Sequence, residues 1–367
     1  MRETRPRSLQ TTIVGCGAVA QRLYRKPLQQ LERRGVLRVS ALVDPVREHA
    51  ETLGAFFPRA TYCADLAEAL DASAPELTLI LSPAHLHGTQ AIQALQHDSH
   101  VLCEKPMAAT EVDCARMNTV AAERNRVLAV GMIRRFFPAY AQLRQMLQDG
   151  QLGSLESFEY REGHKFEWDV TTSAAFRSRR EGGTGVLFDI GPHVVDHLSW
   201  TFGDLRVLAY ADDALAGIES NASLEVESHS CRGAIHLSWN HPQANELRVV
   251  GEKGEAVLRV GHFDQLAVKR ASVFEPQAIN VSFPADARQP ARQRLSPRTY
   301  ADAIYCQIIQ VVRAIQLGER PAVGGLSGQA SVSLLESALA IARPIEAPWL
   351  DESQRDAYNR SHWRRSA

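Results

Sequence analysis

The sequence predicts a two-domain α/β protein, a doubly wound layer on a parallel sheet followed by a part built on an antiparallel sheet. Three observations carry this. A chain of 367 residues holds roughly two domains of about 150 residues each. Between about residues 10 and 130, short aliphatic or β-branched runs alternate with helical patterns, as repeated βαβ units with buried strands do. From about 205 to 283 the pattern becomes alternating polar and apolar positions broken by short glycine or polar links, which reads as consecutive strands.

Taken in order, strands are expected at 11–15, 37–43, 77–81, 100–103 and 127–130, where aliphatic and β-branched residues cluster. Helices lie between them, clearest at 88–96 and 110–125, the latter with Thr110 as N-cap and Glu111 in its first turn. Pro27 is expected to stop the first helix and start a short second one over 26–33. Beyond Gly131 come a helix near 139–149, the segment Gly182-Gly183-Thr184-Gly185 and a helix over 192–200. Strands follow at 219–227, 233–239, 246–250 and 255–260. Residues 284–298, with Pro284, Pro290 and Pro297, read as an exposed connection before helices at 300–317 and 328–343.

Composition narrows the partner. Lys and Arg number 41 against 42 Asp and Glu, so the net charge of -1 provides no field to gather nucleic acid or an anionic membrane. A small molecule is expected instead. With 45% hydrophobic and 23% charged residues the chain has an ordinary globular composition, not a disordered one. Cys16, Cys63, Cys103, Cys114, Cys231 and Cys306 are scattered without a CxxC pair, which suggests neither a zinc ribbon nor a disulfide framework and fits a reducing cytoplasm. The N-terminus lacks the apolar core of a signal peptide, and no run of about eighteen apolar residues offers a spanning helix.

The run Ile13-Val14-Gly15-Cys16-Gly17-Ala18-Val19-Ala20 sets GxGxxA between the first strand and the first helix. Glycines there allow a tight turn and close backbone approach to a pyrophosphate, and the helix N-terminus offers unpaired N–H groups. A simple strand-end turn is the competing explanation. Asp44 ends the second strand, where a carboxylate accepts ribose hydroxyls and repels a 2′-phosphate. This favours NAD, while Arg47 nearby keeps NADP open. The alternative for Asp44 is a helix N-cap.

Four segments then combine: Leu79-Ile80-Leu81-Ser82-Pro83-Ala84-His85-Leu86-His87, Val101-Leu102-Cys103-Glu104-Lys105-Pro106, Gly131-Met132-Ile133-Arg134-Arg135-Phe136 and Asp189-Ile190-Gly191-Pro192-His193-Val194-Val195-Asp196. Together they resemble the Gfo/Idh/MocA family of glucose–fructose oxidoreductase, inositol dehydrogenase and rhizopine catabolism proteins, over nearly the whole chain. The resemblance implies a Rossmann domain over 1–131 that binds NAD or NADP. Over 132–367 it implies an α/β domain that binds substrate and whose open, mostly antiparallel sheet forms a homodimer or homotetramer. It implies hydride transfer between nicotinamide and a secondary alcohol or ketone of a sugar, cyclitol or sugar derivative. The implied cofactor contacts are Gly15, Cys16, Gly17, Ala18, Val19, Asp44, Ser82, Pro83, Leu86, His87, Glu104 and Lys105. The implied substrate contacts are Lys105, Ile133, Arg134, Trp168, Asp189 and His193. Pro106 is expected to follow a cis peptide. Two positions depart from the pattern, Ala84 in place of the frequent asparagine and Ile133 in place of Asn or Met.

Hydride transfer needs a positioned carbinol carbon and a group that handles the hydroxyl proton. Within the resemblance Lys105 hydrogen-bonds the reacting oxygen, His193 serves as acid/base, and Asp189 orients the imidazole or holds a neighbouring hydroxyl. The plainer alternatives are a strand-end surface lysine, a helix-capping aspartate and a core histidine. His193 and His197, with Asp189 or Asp196, imitate a helical metal site, but a metal leaves Asp44 and Lys105 unexplained, and none is expected. Phe166, Trp168, Arg177, Trp239 and Asn240 are candidates for substrate selection, although Trp239 alternates with Ile235 and Leu237 as a core strand does. Of Arg134 and Arg135, one is expected at substrate or cofactor and the other in an ion pair. The competing functions are a glycosidase or lyase working by transient oxidation, and a non-catalytic NAD(P)-sensing protein.

Overall fold

The computed structural model describes residues 8–165, 185–214, 218–270 and 297–345, together with the backbone of 277–280. The chain divides into two compact units, one of residues 1–133 and 297–332, the other of 134–296 and 333–367.

In the first unit, β1 (Leu9–Val14), β2 (Leu37–Val43), β3 (Thr61–Cys63), β4 (Leu77–Ile80), β5 (His100–Cys103) and β6 (Leu128–Val130) pair in parallel in the order β3-β2-β1-β4-β5-β6. The helices between them are α1 (Arg25–Arg33), α2 (Arg47–Gly54), α3 (Leu66–Ser73), α4 (Ala84–Gln96) and α5 (Glu111–Glu123). Strands flanked by helices on both faces must be apolar on both, and every residue of β4 is buried. Sheet order reverses between β1 and β4, the switch point outside whose carboxyl ends such folds bind ligands. Gly15 follows the first of these strands and Ser82 the second.

The expected break at Pro27 is absent. Ala20–Tyr24 forms a π turn in which the Arg25 N–H reaches back to Ala20 O, and Tyr24 and Arg25 keep helical dihedrals into α1. Pro27 lies in the first turn after that widening, where a missing amide interrupts little. Residues 297–332 also return to this unit. There α9 (Tyr300–Leu317) starts at a capping box of Thr299 and Asp302, and Gln307 Nε2 donates to Tyr24 Oη at 3.3 Å. The expected split at 131 was linear; the observed first unit is not.

The second unit contains α6 (Pro138–Gln148), β7 (Leu155–Gly163), α7 (Val186–Asp189), α8 (Gly191–Phe202), β8 (Arg206–Asp212), β9 (Asn221–Glu227), β10 (Arg232–Ser238), β11 (Glu246–Gly251), β12 (Gly254–Arg259), β13 (Gln265–Arg270), β14 (Gln277–Asn280) and, after α10 (Gly325–Ala340), which starts in the first unit, β15 (Ala342–Pro344). Its sheet runs β14-β13-β12-β11-β7-β10-β9-β8-β15, antiparallel except for β7 with β10 and β8 with β15. Alternation decides its two faces. Leu224, Ile235, Leu247 and Leu258 are buried, and on the same side Phe158 stacks on Phe202 of α8 at 4.5 Å between ring centroids. Among the described residues no helix is long and apolar enough to cross a membrane.

Candidate active site

The glycine turn is dictated by a close approach. Gly15 has φ +87°, and a Cβ there would lie 2.6 Å from Ser82 N and 2.7 Å from Leu81 C, backbone atoms of the neighbouring strand end. A Cβ on Gly17 would meet nothing within 4 Å, so its missing side chain leaves the turn's backbone bare on that side. Ala18 and Val19 then start the helix, half-buried. A strand end of this order with bare backbone leading into a helix suits a dinucleotide's pyrophosphate.

Asp44 is built into that turn. Its Oδ2 accepts the Cys16 N–H at 2.8 Å, while Oδ1 accepts the Val46 N–H at 2.9 Å and lies 3.4 Å from His49 Nδ1. The carboxylate thus braces the glycine turn and bends the chain toward α2, whose N-cap is Val46 and not Asp44. Cys16 is fully buried, and burial, with Asp44 adding, pushes its thiol up to about 12. It stays a protonated packing group.

The loops after β4 and β5 supply the next expected residues. Ser82 Oγ donates to Gln90 Oε1 at 2.5 Å, Pro83 precedes α4, and Leu86 is exposed. His87 is buried, facing carbonyls on both sides. Glu104 accepts from Tyr24 Oη at 2.5 Å and from the Lys105 N–H at 3.1 Å. Gly131 makes room for it, since a Cβ there would stand 2.9 Å from Glu104 Cδ. Burial raises the Glu104 carboxyl above its ordinary range, against the Tyr24 hydrogen bond and the Lys105 charge. The Lys105–Pro106 peptide is cis, and Lys105 is half-buried. Ile133 closes this unit, 6% exposed.

In the second unit, Asp189 and His193 share one helical face. Ile190, between α7 and α8, keeps helical dihedrals, so the four-residue spacing brings both side chains to the same side. They are the half-buried positions in a run that is otherwise buried from Gly185 to Leu198. Asp189 ends α7 and is not the cap of α8. Trp239 Nε1 donates to Asp189 Oδ2 at 3.2 Å, which fixes the carboxylate from the end of β10. Below α7, buried Glu219 accepts the Val186 N–H through its carbonyl at 2.9 Å and the Leu187 N–H through Oε1 at 3.3 Å.

Both arginines at the junction are committed to ion pairs. Arg134 forms a two-pronged pair with Glu162, 2.8 Å on each prong, and also donates to Tyr160 Oη. Its side chain is 6% exposed. Arg135 reaches Asp196 through Nε at 2.9 Å and Nη2 at 2.6 Å. With its donors turned inward, Arg134 is a core brace and not the expected substrate contact. His197 is fully buried with its ring 4.4 Å from that of Tyr140, and burial holds its pKa far below the ordinary value. Asp196 is spent on Arg135, and among the described residues no group of three His, Cys, Asp or Glu comes together. Trp168, Phe166 and Arg177 lie outside the described residues.

Comparison with known proteins shows the family. An oxidoreductase family model with an NAD-binding Rossmann fold matches residues 9–132, and the GFO/IDH/MocA C-terminal domain matches 140–257. An inositol 2-dehydrogenase of Ralstonia nicotianae is 32% identical over 274 residues, 68% of this chain and 74% of its own. The chain belongs to the Gfo/Idh/MocA oxidoreductase family. Within the family, the D-glucoside 3-dehydrogenase of Escherichia coli is 28% identical over 195 residues, and the match spans 53% of this chain and 54% of that enzyme. The match to the NADP(+)-dependent scyllo-inositol 2-dehydrogenase of Bacillus subtilis spans 40% of each. Among solved structures, a levoglucosan dehydrogenase in complex with NADH and levoglucosan superposes with a TM-score of 0.79 at 18% identity, covering 91% of this chain and 97% of that one. The shared fold of this Gfo/Idh/MocA member extends over both units.

Proposed function

We propose that the protein is an NAD-dependent dehydrogenase or reductase of a secondary alcohol on a sugar, cyclitol or sugar derivative. The observation that carries the reading is the Gly15–Gly17 turn braced by Asp44 at the switch point of the parallel sheet. Gly15, Cys16, Gly17, Ala18 and Val19 would hold the pyrophosphate, and Asp44 the adenosine ribose, excluding a 2′-phosphate by charge. Ser82, Pro83, Leu86 and Glu104 would line the remaining length. When bound, the nicotinamide supplies the hydride acceptor or donor.

The chain's own residues handle the proton and the geometry. The Lys105 ammonium donates to the substrate oxygen and stabilises negative charge developing there. His193 takes the hydroxyl proton in oxidation and returns it in reduction, as an imidazole suited to both acid and base roles. Asp189, held by the Trp239 indole, orients a substrate hydroxyl or the imidazole. The relatives named for inositol, glucosides and levoglucosan support a polyhydroxylated ring as substrate class. Self-association through the outer face of the nine-stranded sheet and a cytoplasmic location complete the proposal.

The test is a panel of cyclitols, aldoses and glucosides at saturating NAD or NADP, followed by absorbance of the reduced cofactor. Turnover of at least one ring polyol, faster with NAD, is the expected result. No turnover across the panel in either direction, with cofactor bound, would overturn the reading.

A further inference from the structure

We propose that His87 is a positioning residue for Lys105, an imidazole clip between the loop after β4 and the loop after β5 that is complete only when the ring carries two protons. The ring is 1% exposed. Its Nδ1 lies 2.8 Å from the Pro106 carbonyl oxygen and its Nε2 2.8 Å from that of Ser82. Both partners are acceptors. A neutral imidazole has one N–H and turns a lone pair toward the second carbonyl, whereas an imidazolium donates to both.

The two joined peptides are the ones that matter to the site. Ser82 offers the backbone against which Gly15 is packed, and Pro106 directly follows Lys105. One buried side chain therefore ties the residue that follows Lys105 to the residue on which the glycine turn packs. The charged groups that act on the ring are Lys105 beyond β5 and His85 on α4 itself; on the neighbouring elements the Cys103 thiol is turned to Met107 O and Asp113 of α5 lies by Gly88. Asp113 packs on Gly88, and its carboxylate accepts from Thr110 Oγ1. Burial lowers the His87 pKa, the two carbonyls raise it, and the charges of Lys105 and His85 lower it again. The second proton is accordingly taken up on the acid side of the ordinary histidine range, where the clip tightens.

The role of Lys105 rests on the proposed function; the clip does not, and both tests run without substrate. In protein labelled with ¹⁵N-histidine, with His87→Gln to assign the signal, the ring is expected to show two N–H correlations at the most acid pH at which the fold persists and one near about pH 8. A single N–H throughout would overturn the second proton. The other arm is competitive acetic anhydride labelling read by mass spectrometry, comparing Lys105 with Lys26 and Lys253. In His87→Leu the Lys105 rate is expected to change by about fivefold, the factor one hydrogen bond is worth, with partial recovery in His87→Gln, whose amide donates to one carbonyl. Unchanged Lys105 rates would overturn the positioning role. So would an equal change at all three lysines, which would make His87 a residue of the fold at large.

Discussion

Substituting the two glycines of the turn separately distinguishes a fold requirement from a ligand requirement. In Gly15→Ala the new methyl would lie 2.6–2.7 Å from Ser82 N, Ser82 Cα and Leu81 C. These are backbone atoms, tied to β1 by the 2.7 Å hydrogen bond from Leu81 N to Val14 O, so the strand ends must part. Holding an alanine at φ +87° costs about 1–2 kcal/mol, and loosening that hydrogen bond costs about 1 kcal/mol more. With residual clash the loss is about 2–4 kcal/mol, or roughly 5–15 °C in the melting of the first unit. In Gly17→Ala the methyl meets nothing, so stability should stay within about 0.5 kcal/mol. In the proposed cofactor site the methyl would stand where a pyrophosphate approaches, and NADH affinity should weaken about tenfold or more. Circular dichroism melts and NADH fluorescence titrations read both quantities. A Gly15→Ala protein as stable as the parent, or a Gly17→Ala protein that loses stability and keeps NADH affinity, would refute the reasoning.

Three further outcomes follow from the same contacts. Asp44→Ala removes the acceptor of the buried Cys16 N–H, so the variant should lose about 1–3 kcal/mol of stability, and its kcat/KM preference for NAD over NADP should fall at least tenfold (about 1.4 kcal/mol); an unchanged preference would dissociate Asp44 from the ribose. Arg134→Met strands the Glu162 carboxylate in the core and should cost about 3–5 kcal/mol in urea unfolding, and a loss below about 1 kcal/mol would mean that the pair is solvated. His197 is a base whose folded pKa is depressed, so its stability contribution is full above the unfolded value of about 6.5 and is lost as pH falls below it. His197→Phe should therefore flatten the acid limb of the stability profile by up to about 1.4 kcal/mol per pH unit, and an unaltered limb would show that His197 does not cause it.

The parts of the site legible in the sequence are those whose physics is local. The glycine turn needs positive φ within two residues of a strand end, and Asp44 closes the next strand, so both stand out by spacing. Asp189 and His193 are four apart on one helical run and share a face without help from the rest of the chain. What could not be read depends on partners distant in sequence. Trp239 alternates like a core residue and is indeed buried, yet its indole serves Asp189, 50 positions away. Tyr24 meets Glu104 across 80 positions, and Arg135 meets Asp196 across 61, with no local pattern to announce either. Charged outward positions such as Glu159 and Arg161 hid β7, whose buried Phe158 and Tyr160 are too few to dominate a hydropathy pattern. Three-residue β3 is too short to show a period. Pro27 misled because a proline marks a helix start as readily as a break, and the π turn before it settles the matter only in three dimensions.

In the proposed mechanism Lys105 and His193 serve one proton transfer at one oxygen, and a double-mutant cycle on kcat/KM tests that proposal most directly. Lys105→Ala and His193→Ala are each expected to lose about 10²–10⁴-fold against the best polyol of the panel. Groups that act as a unit lose little more together than apart, so the double variant should be nearly as active as the slower single one. A double variant whose loss equals the product of the two single losses would contradict the claim.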